Sequence, residues 1–362
     1  MQSLKSNALE PTRSELAQMT SWQAAWRLVP VYGLPILTLL LIGLFSVILP
    51  DTFPTLLNLR SILSDKAIIA ILSLASMLPM MAGRIDLTVG YGIVLWHILA
   101  ISLQVNYGFS WPAACLLVLA AGAVMGLLNG LLVEVAQIDS FIATLGTGTI
   151  LYALALWHTG GRQVIGALPT AFLDINGLFV FGLPITAFYV LALAVVMWLV
   201  AERLPLGRHL YAIGANPRVA ELNGIAVRGY VMGVFIGSSV LTAFAGIILA
   251  SKLRIGQASV GLEYLLPALV GAFLGSTTIR PGRVNVWGTL CAVAILAVGI
   301  SGIQQLGGAF FVEPLFNGVT LVVAIGLAGY AQRRRTGVKK PQLAVPGKEA
   351  PHPQASPSLK QP

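Results

Sequence analysis

Charge is scarce in this chain. Only 10% of its 362 residues are Asp, Glu, Lys or Arg, against about 25% in a soluble domain. So little polar surface cannot cover a fold immersed in water, so a soluble globular protein is excluded and the main solvent is lipid. Cysteine is scarcer still. Cys115 and Cys291 both sit inside apolar runs, which leaves no disulfide framework or metal-ligand spacing and reads as packing. Acids are outnumbered, 13 against 22 Lys and Arg, for a formal net charge of +9. In a soluble protein that excess would point to nucleic acid; here no nucleic-acid motif accompanies it, and the cations gather in loops and tails. The phosphate-cradling pattern G-x-x-x-x-G-K-[ST] is missing, since Gly347-Lys348 is followed by Glu349. Paired acids inside apolar runs, a histidine cluster and a nucleophile–base pair are missing too, which argues against a membrane-embedded enzyme.

What the chain has is apolar length. Ten segments read as membrane spans, at roughly 31–49, 63–82, 89–106, 112–133, 140–158, 184–202, 229–250, 263–278, 286–303 and 312–331. Backbone groups facing lipid must be satisfied within their own segment, so each reads as a helix and the fold class as an all-α, polytopic integral membrane protein. An even number of spans puts both termini on one side. With the termini inside, 17 of the 22 basic residues fall on the inner side and 5 on the outer, so the expected orientation has both ends in the cytoplasm. The mostly polar start reads as a cytoplasmic segment over 1–30 rather than a secretory signal. Residues 31–331 form the transmembrane domain, and the Pro-, Ser- and Lys-rich stretch 332–362 reads as a disordered cytoplasmic tail.

One polar stretch interrupts the apolar pattern. The loop 204–228 contains "GRHLYAIGANPRVAELNGI", Gly207 to Ile225. Asn216 is a good N-cap, Pro217 suits the first helical position, and Gly224 suits the left-handed residue that ends a helix. The spacing predicts about two turns of helix, with Val219, Ala220 and Leu222 as a small apolar face and Arg218 and Glu221 as a polar one. So short a helix is marginal unless it packs on something. On residues alone it is either a capped connector or a docking element.

The same stretch carries a resemblance. "GANPRVAELNGI" resembles the cytoplasmic loop of permease subunits in bacterial ATP-binding-cassette importers of the ribose-type sugar family. Three further segments fit in order: "MAGRIDLTVG" (81–90), "QIDSFIATLGTGTILYALALWHTGGRQVIG" (137–166) and "LGSTTIRPGRVNVWGT" (274–289). The likeness runs from about residue 35 to 331. Arg84 stands where that family commonly has glycine, and Ser276 and Pro281 replace glycines of its inner loop. The resemblance implies a multi-pass protein of the bacterial inner membrane that forms the path for a sugar or sugar-like neutral solute. It implies a separate ATPase subunit, a periplasmic solute-binding protein facing the outer loop 159–183, and a second permease subunit, identical or not. ATP and Mg would then sit on the ATPase, with no cofactor on this chain. The coupling contact would involve Gly207, Gly214, Asn216, Pro217, Arg218, Ala220, Glu221, Leu222 and Gly224.

Polar residues inside the spans are the remaining candidates. Asp86 is either a structural lock at a broken helix near the path or an N-cap for the third span. Asn129, Thr144, Thr147, Ser238, Gln304 and Asn317 suit weak contacts with a polyhydroxylated solute, or serve as glue between helices. His97 and His158 read as packing or interfacial residues, and Glu202 and Glu263 as interfacial. The alternative function is an ion-coupled secondary transporter of a small polar solute, which would need ion ligands near the midplane.

Overall fold

A computed structural model describes residues 21–308, 311–320 and 322, with side chains from residue 31. Within them the fold is α-helical, and a two-stranded hairpin is the only sheet among the described residues. In chain order the helices are α1 (Ser21–Ile48), α2 (Leu56–Asp65), α3 (Ala67–Met81), α4 (Thr88–Val105), α5 (Trp111–Glu134), α6 (Ser140–Thr159) and α7 (Thr170–Gly177). After the hairpin of β1 (Phe179–Val180) and β2 (Leu183–Pro184) come α8 (Ile185–Trp198), α9 (Pro205–Ala215), α10 (Pro217–Leu222), α11 (Val227–Leu253), α12 (Leu265–Gly275) and α13 (Val286–Gln305). A last helix is described over 312–320.

Among the described residues, eight helical stretches are long and apolar enough to cross a membrane, the shortest having 18 residues. At 1.5 Å per residue that is about 27 Å, close to the hydrocarbon thickness of a bilayer. The chain is therefore a polytopic, all-α membrane protein. The expected span 263–278 differs from the reading. A 3₁₀ turn at Leu262–Tyr264 leads into α12, about 21 Å of helix in all and too short to cross alone. It stops because the hydroxyls of Ser276 and Thr277 bond the carbonyls of Phe273 and Leu274 at 2.6 and 2.7 Å, and Ile279 then takes a positive φ. Residues 323–331 of the expected tenth span lie outside the described residues, as do residues 1–20 and the tail 332–362.

α11 is the central helix, packed by α3, α4 and α5. Its contact with α5 explains "AGAVMGLLNG": Gly122, Gly126 and Gly130 repeat at four-residue spacing and so share one face. A Cβ on Gly126 would sit 2.4 Å from the Phe235 carbonyl oxygen. Without side chains there, the two backbones approach closely, as in small-residue packing of membrane helices. Large apolar side chains of α1, α5 and α6, such as Leu39, Leu116, Val124 and Ile150, point outward, where lipid replaces a soluble protein's polar shell.

The bundle has two distinct ends. α3 finishes at Met81 beside Gly214 of α9, and the segments at this basic end carry Arg84, Arg203, Arg208, Arg218, Arg228, Arg280 and Arg283. The opposite end is capped by residues 160–184. There Val164 and Gly256 exchange backbone hydrogen bonds at 2.8 and 3.0 Å, Phe172 of α7 is fully buried, and Ser251 accepts from Asn176 N at 3.1 Å. Arg60 pins the hairpin through Nε to the Gly182 carbonyl at 2.7 Å. Phe181 and Gly182 both have positive φ, as a tight two-residue hairpin turn requires, and Phe181 stands 96% exposed at the tip.

Candidate functional site

At the basic end, α8 unwinds into a π-turn at Leu199–Arg203, and the chain then bends at Leu204. Pro205 opens α9, whose Leu210 and Ile213 are fully buried. α10 follows with both ends specified as the residues predict. Asn216 Oδ1 accepts from Val219 N at 3.1 Å. At the other end Gly224 (φ +81°) bonds the Glu221 carbonyl and Ile225 N bonds that of Ala220, at 2.9 and 3.1 Å. That pair of bonds, closed by a left-handed glycine, is the Schellman stop.

The expected apolar face of α10 is divided. Ala220 is 4% exposed and joins the cluster of Leu210, Ile213 and Val231. Val219 and Leu222 are 52% and 76% exposed. The reason is angular: residues 219 and 222 lie on one side of a helix, and residue 220 is turned about 100° from 219. Ala220 anchors the short helix to its own bundle, and Val219 with Leu222 form the outward apolar surface. Arg218 and Glu221 pair at 3.1 Å beside it, both exposed.

α9 is held against two breaks in the bundle. The first is the α3–α4 break. A Cβ on Gly214 would lie 2.4 Å from the Met81 carbonyl oxygen, and Gly207 is as tightly placed over Ala201. The second is the α12–α13 loop. Tyr211 donates its hydroxyl to the Val284 carbonyl at 2.8 Å, Arg283 stacks over the Tyr211 ring at 3.3 Å, and Glu202 pairs with Arg280. Burial pushes the Tyr211 phenol up more than the Arg283 guanidinium pulls it down, so it stays a donor. Asn285 completes this loop by bonding the Gly275 and Thr278 carbonyls, each at 3.1 Å.

The α3–α4 break collects most of the polar span residues. Asp86 is buried, and its Oδ1 accepts from the Thr88 N–H at 2.9 Å and from the Thr88 hydroxyl. Its Oδ2 accepts from the Ser238 hydroxyl of α11 at 2.8 Å. Asn129 of α5 donates to Thr88 Oγ1 at 3.3 Å and accepts from Thr147 of α6 at 2.7 Å. Thr144 accepts from Leu87 N at 3.1 Å, and Ser140 from Ile85 N at 3.2 Å. Asp86 thus both serves the first turn of α4 and ties the break to α11. Buried Asp86, Asn129, Thr144 and Ser238 and half-buried Thr147 meet in one network with their polar groups engaged by neighbouring helices, and none of them lines the two cavities at the opposite end. Glu134, passed over in the sequence, is buried at the end of α5 and holds Arg84 at 2.8 Å. An acid closing an apolar helix, with an arginine in a nearby break, was the available signal.

Removing the Asp86 carboxylate leaves two buried hydroxyls and an amide without their acceptor. A buried donor left unsatisfied costs about 1–3 kcal/mol. Asp86→Ala is therefore expected to destabilise the protein by about 3 kcal/mol and Ser238→Ala by about half that. Unfolding midpoints of the two variants in detergent, set beside the unaltered chain, check the order.

Asn317 lies elsewhere. Near the opposite end it lines a cavity of about 510 Å³ with Lys66, Lys252, Glu263 and Glu313. A second cavity of about 430 Å³ shares Asp65, Lys66 and Glu313 with it and adds Gln304 and Gln305. Lys66 pairs with Glu313 at 2.9 Å and Lys252 with Asp65 at 2.7 Å. Glu263, in the 3₁₀ turn that leads into α12, is part of the first cavity's wall. His97 and His158 are taken up locally, by Ile93 O and Gln257 N and by the Ser102 hydroxyl.

Helices long enough to cross a membrane, with α9 held at one end against the α3–α4 break and the α12–α13 loop, define a polytopic integral membrane protein. Residues 58–328 match the family described as branched-chain amino acid transport system, permease component. The ribose import permease protein RbsC of Bacillus subtilis is 31% identical over 292 residues, 80% of this chain and 90% of that protein. The ribose import permease of Haemophilus influenzae is 28% identical over 79% of this chain and 89% of its own length. The autoinducer 2 import system permease protein LsrD of Escherichia coli K12 is 31% identical over 75% of this chain and 84% of its own length. No solved structure matches. The chain belongs to this permease family and is a multi-pass permease subunit of an ATP-binding-cassette importer.

Proposed function

We propose that this chain is the non-catalytic membrane subunit of an importer for a sugar or sugar-like neutral solute. The termini and the 204–228 loop face the cytoplasm, where a separate ATPase subunit docks on α10. A periplasmic solute-binding protein delivers cargo to the end capped by residues 160–184. A second permease subunit, identical or not, completes the path. ATP and Mg belong to the ATPase, and this chain binds no cofactor of its own. The observation that carries the coupling role is the double clamp of α9. A push on α10 passes through Gly214 to the α3–α4 break and through Tyr211 to the α12–α13 loop. The exposed pair Val219 and Leu222 beside an ion pair is the surface such a push requires. The import relatives carry the solute class, ribose and autoinducer 2 being the cargoes in their names. None of the relatives favours the ion-coupled alternative.

One labelling experiment tests orientation and docking together. Phe181 and Leu222 are exposed at opposite ends. In a background of Cys115→Ala and Cys291→Ala, an impermeant thiol reagent is expected to modify Phe181→Cys in intact cells and Leu222→Cys only in inverted vesicles. The ATPase subunit should then shield Leu222→Cys. Modification of Leu222→Cys from outside refutes the orientation. Unchanged modification in the presence of the ATPase refutes the docking.

A further inference from the structure

The cavity near the end capped by residues 160–184 has no role in the coupling contact, yet its wall is chemically selective. We propose that this cavity, bounded by Lys66, Glu263, Tyr264, Glu313 and Asn317, is a binding site for a neutral polyhydroxyl solute on its way into the membrane path. The inference rests on the orientation given above, which makes this the outer end.

Size permits it. About 510 Å³ falls within the roughly 300–1,000 Å³ of small-molecule sites. The adjoining space of about 430 Å³, which shares Asp65, Lys66 and Glu313, continues the polar wall along α13. Elements from distant parts of the chain converge here: the start of α3, the end of α11, the entry to α12, and the 312–320 helix.

Charge narrows the ligand. Both ammonium groups are already matched, Lys66 by Glu313 and Lys252 by Asp65, at 2.9 and 2.7 Å. Glu263 accepts from Gly261 N at 2.8 Å, and Glu313 also receives the Gln304 amide at 3.4 Å. An anion, or the carboxylate of a zwitterion, would have to break one of these pairs. The unanswered group is neutral. Asn317 is 3% exposed, and its Oδ1 has no hydrogen-bond partner among the described residues. Gln305 Oε1, on the wall of the adjoining space, is likewise buried without a partner. An unmatched buried acceptor costs about 1–3 kcal/mol. What it lacks is a donor, and a hydroxyl supplies one without bringing charge. The paired carboxylates beside it keep free lone pairs for further hydroxyls, and the Lys66 ammonium keeps further N–H groups. Ile69, Leu266 and Pro267 supply an apolar side for the C–H face that a sugar ring presents.

The site is testable without transport. Leu266 lines the cavity and is half exposed, so in the Cys115→Ala, Cys291→Ala background Leu266→Cys reports occupancy through its rate of modification by a trimethylammonium thiosulfonate. The probes are a pentose (D-ribose), a hexose (D-glucose) and a linear polyol (ribitol), with L-leucine and sodium phosphate as comparisons, on the purified full chain in nanodiscs. At least one polyhydroxyl probe is expected to slow modification saturably, by about tenfold at ten times its Kd, while leucine and phosphate do not. Adding Asn317→Leu should abolish that protection without altering the unprotected rate. Asn317→Asp, which keeps the acceptor, should retain it. If Asn317→Leu is polydisperse in detergent, Glu313→Gln replaces it and is expected to weaken protection at least threefold. No protection by any polyhydroxyl probe overturns the site, as does protection that survives both Asn317→Leu and Glu313→Gln. Protection by leucine or phosphate alone overturns the ligand class. Either result leaves the ATPase shielding of Leu222→Cys untouched, so a failure of this site is distinguishable from a failure of the permease reading.

Discussion

Gly214→Leu is expected to yield a folded permease that no longer couples ATP hydrolysis to uptake. Even a Cβ at this position would lie 2.4 Å from the Met81 carbonyl oxygen and 3.2 Å from Gly83 N. Both are backbone atoms at the α3–α4 break, so no flexible side chain can yield, and α9 itself must lift away. Overpacking of this kind costs about 1–3 kcal/mol, which is about 5–150-fold in the population of the clamped arrangement. The spanning helices do not depend on this contact, so the chain should still insert and remain monodisperse. In proteoliposomes holding the complete transporter, uptake should fall by one to two orders of magnitude, and ATP hydrolysis should stop responding to the loaded binding protein. Gly233→Ala is the control, because nothing lies within 4 Å of a Cβ there and alanine is the better helix former. If Gly214→Leu transports like the unaltered chain, the contact between α9 and the α3–α4 break does not carry the coupling.

The second large effect is expected at Leu222. Its side chain is free in this structure, so Leu222→Arg should leave the permease intact. In a complex, the same arginine would be forced into a desolvated apolar contact without a partner. Hot-spot losses at interfaces are about 2–4 kcal/mol, so co-purification of the ATPase subunit should drop by about 30-fold or more, and uptake with it. Ala220→Arg would not make the same point. Ala220 packs among Leu210 and Ile213, so a long cation there disturbs the permease's own packing before any partner arrives. Arg218→Ala, beside the surface and exposed, should be mild. An intact Leu222→Arg protein that keeps full ATPase binding and uptake would reduce α10 to a capped connector.

Much of the 204–228 loop was legible because its rules are local. Asn216, Pro217 and Gly224 specify the two ends of α10 through backbone hydrogen bonds within a few residues, and those bonds do not depend on the rest of the fold. Which face of α10 is outward was not legible. Residues 219, 220 and 222 are all apolar, and only contact with Leu210 and Ile213 turns Ala220 inward. The span at 263–278 was misjudged for a related reason. Hydropathy reads composition, whereas the helix ends where Ser276 and Thr277 bond its last carbonyls.

By itself the sequence determined the solvent, the all-α class and the family. Each follows from quantities summed along the chain: little charge, long apolar runs, and motifs of a dozen residues in order. The tertiary structure alone decided which polar residues act together. Asp86 and Ser238 are 152 positions apart, and Lys66 and Glu313 are 247 apart. One pair closes a helix break and the other walls a cavity. Such pairings are set by how helices cross, since a polar side chain inside lipid must find whichever partner packing brings within about 3 Å.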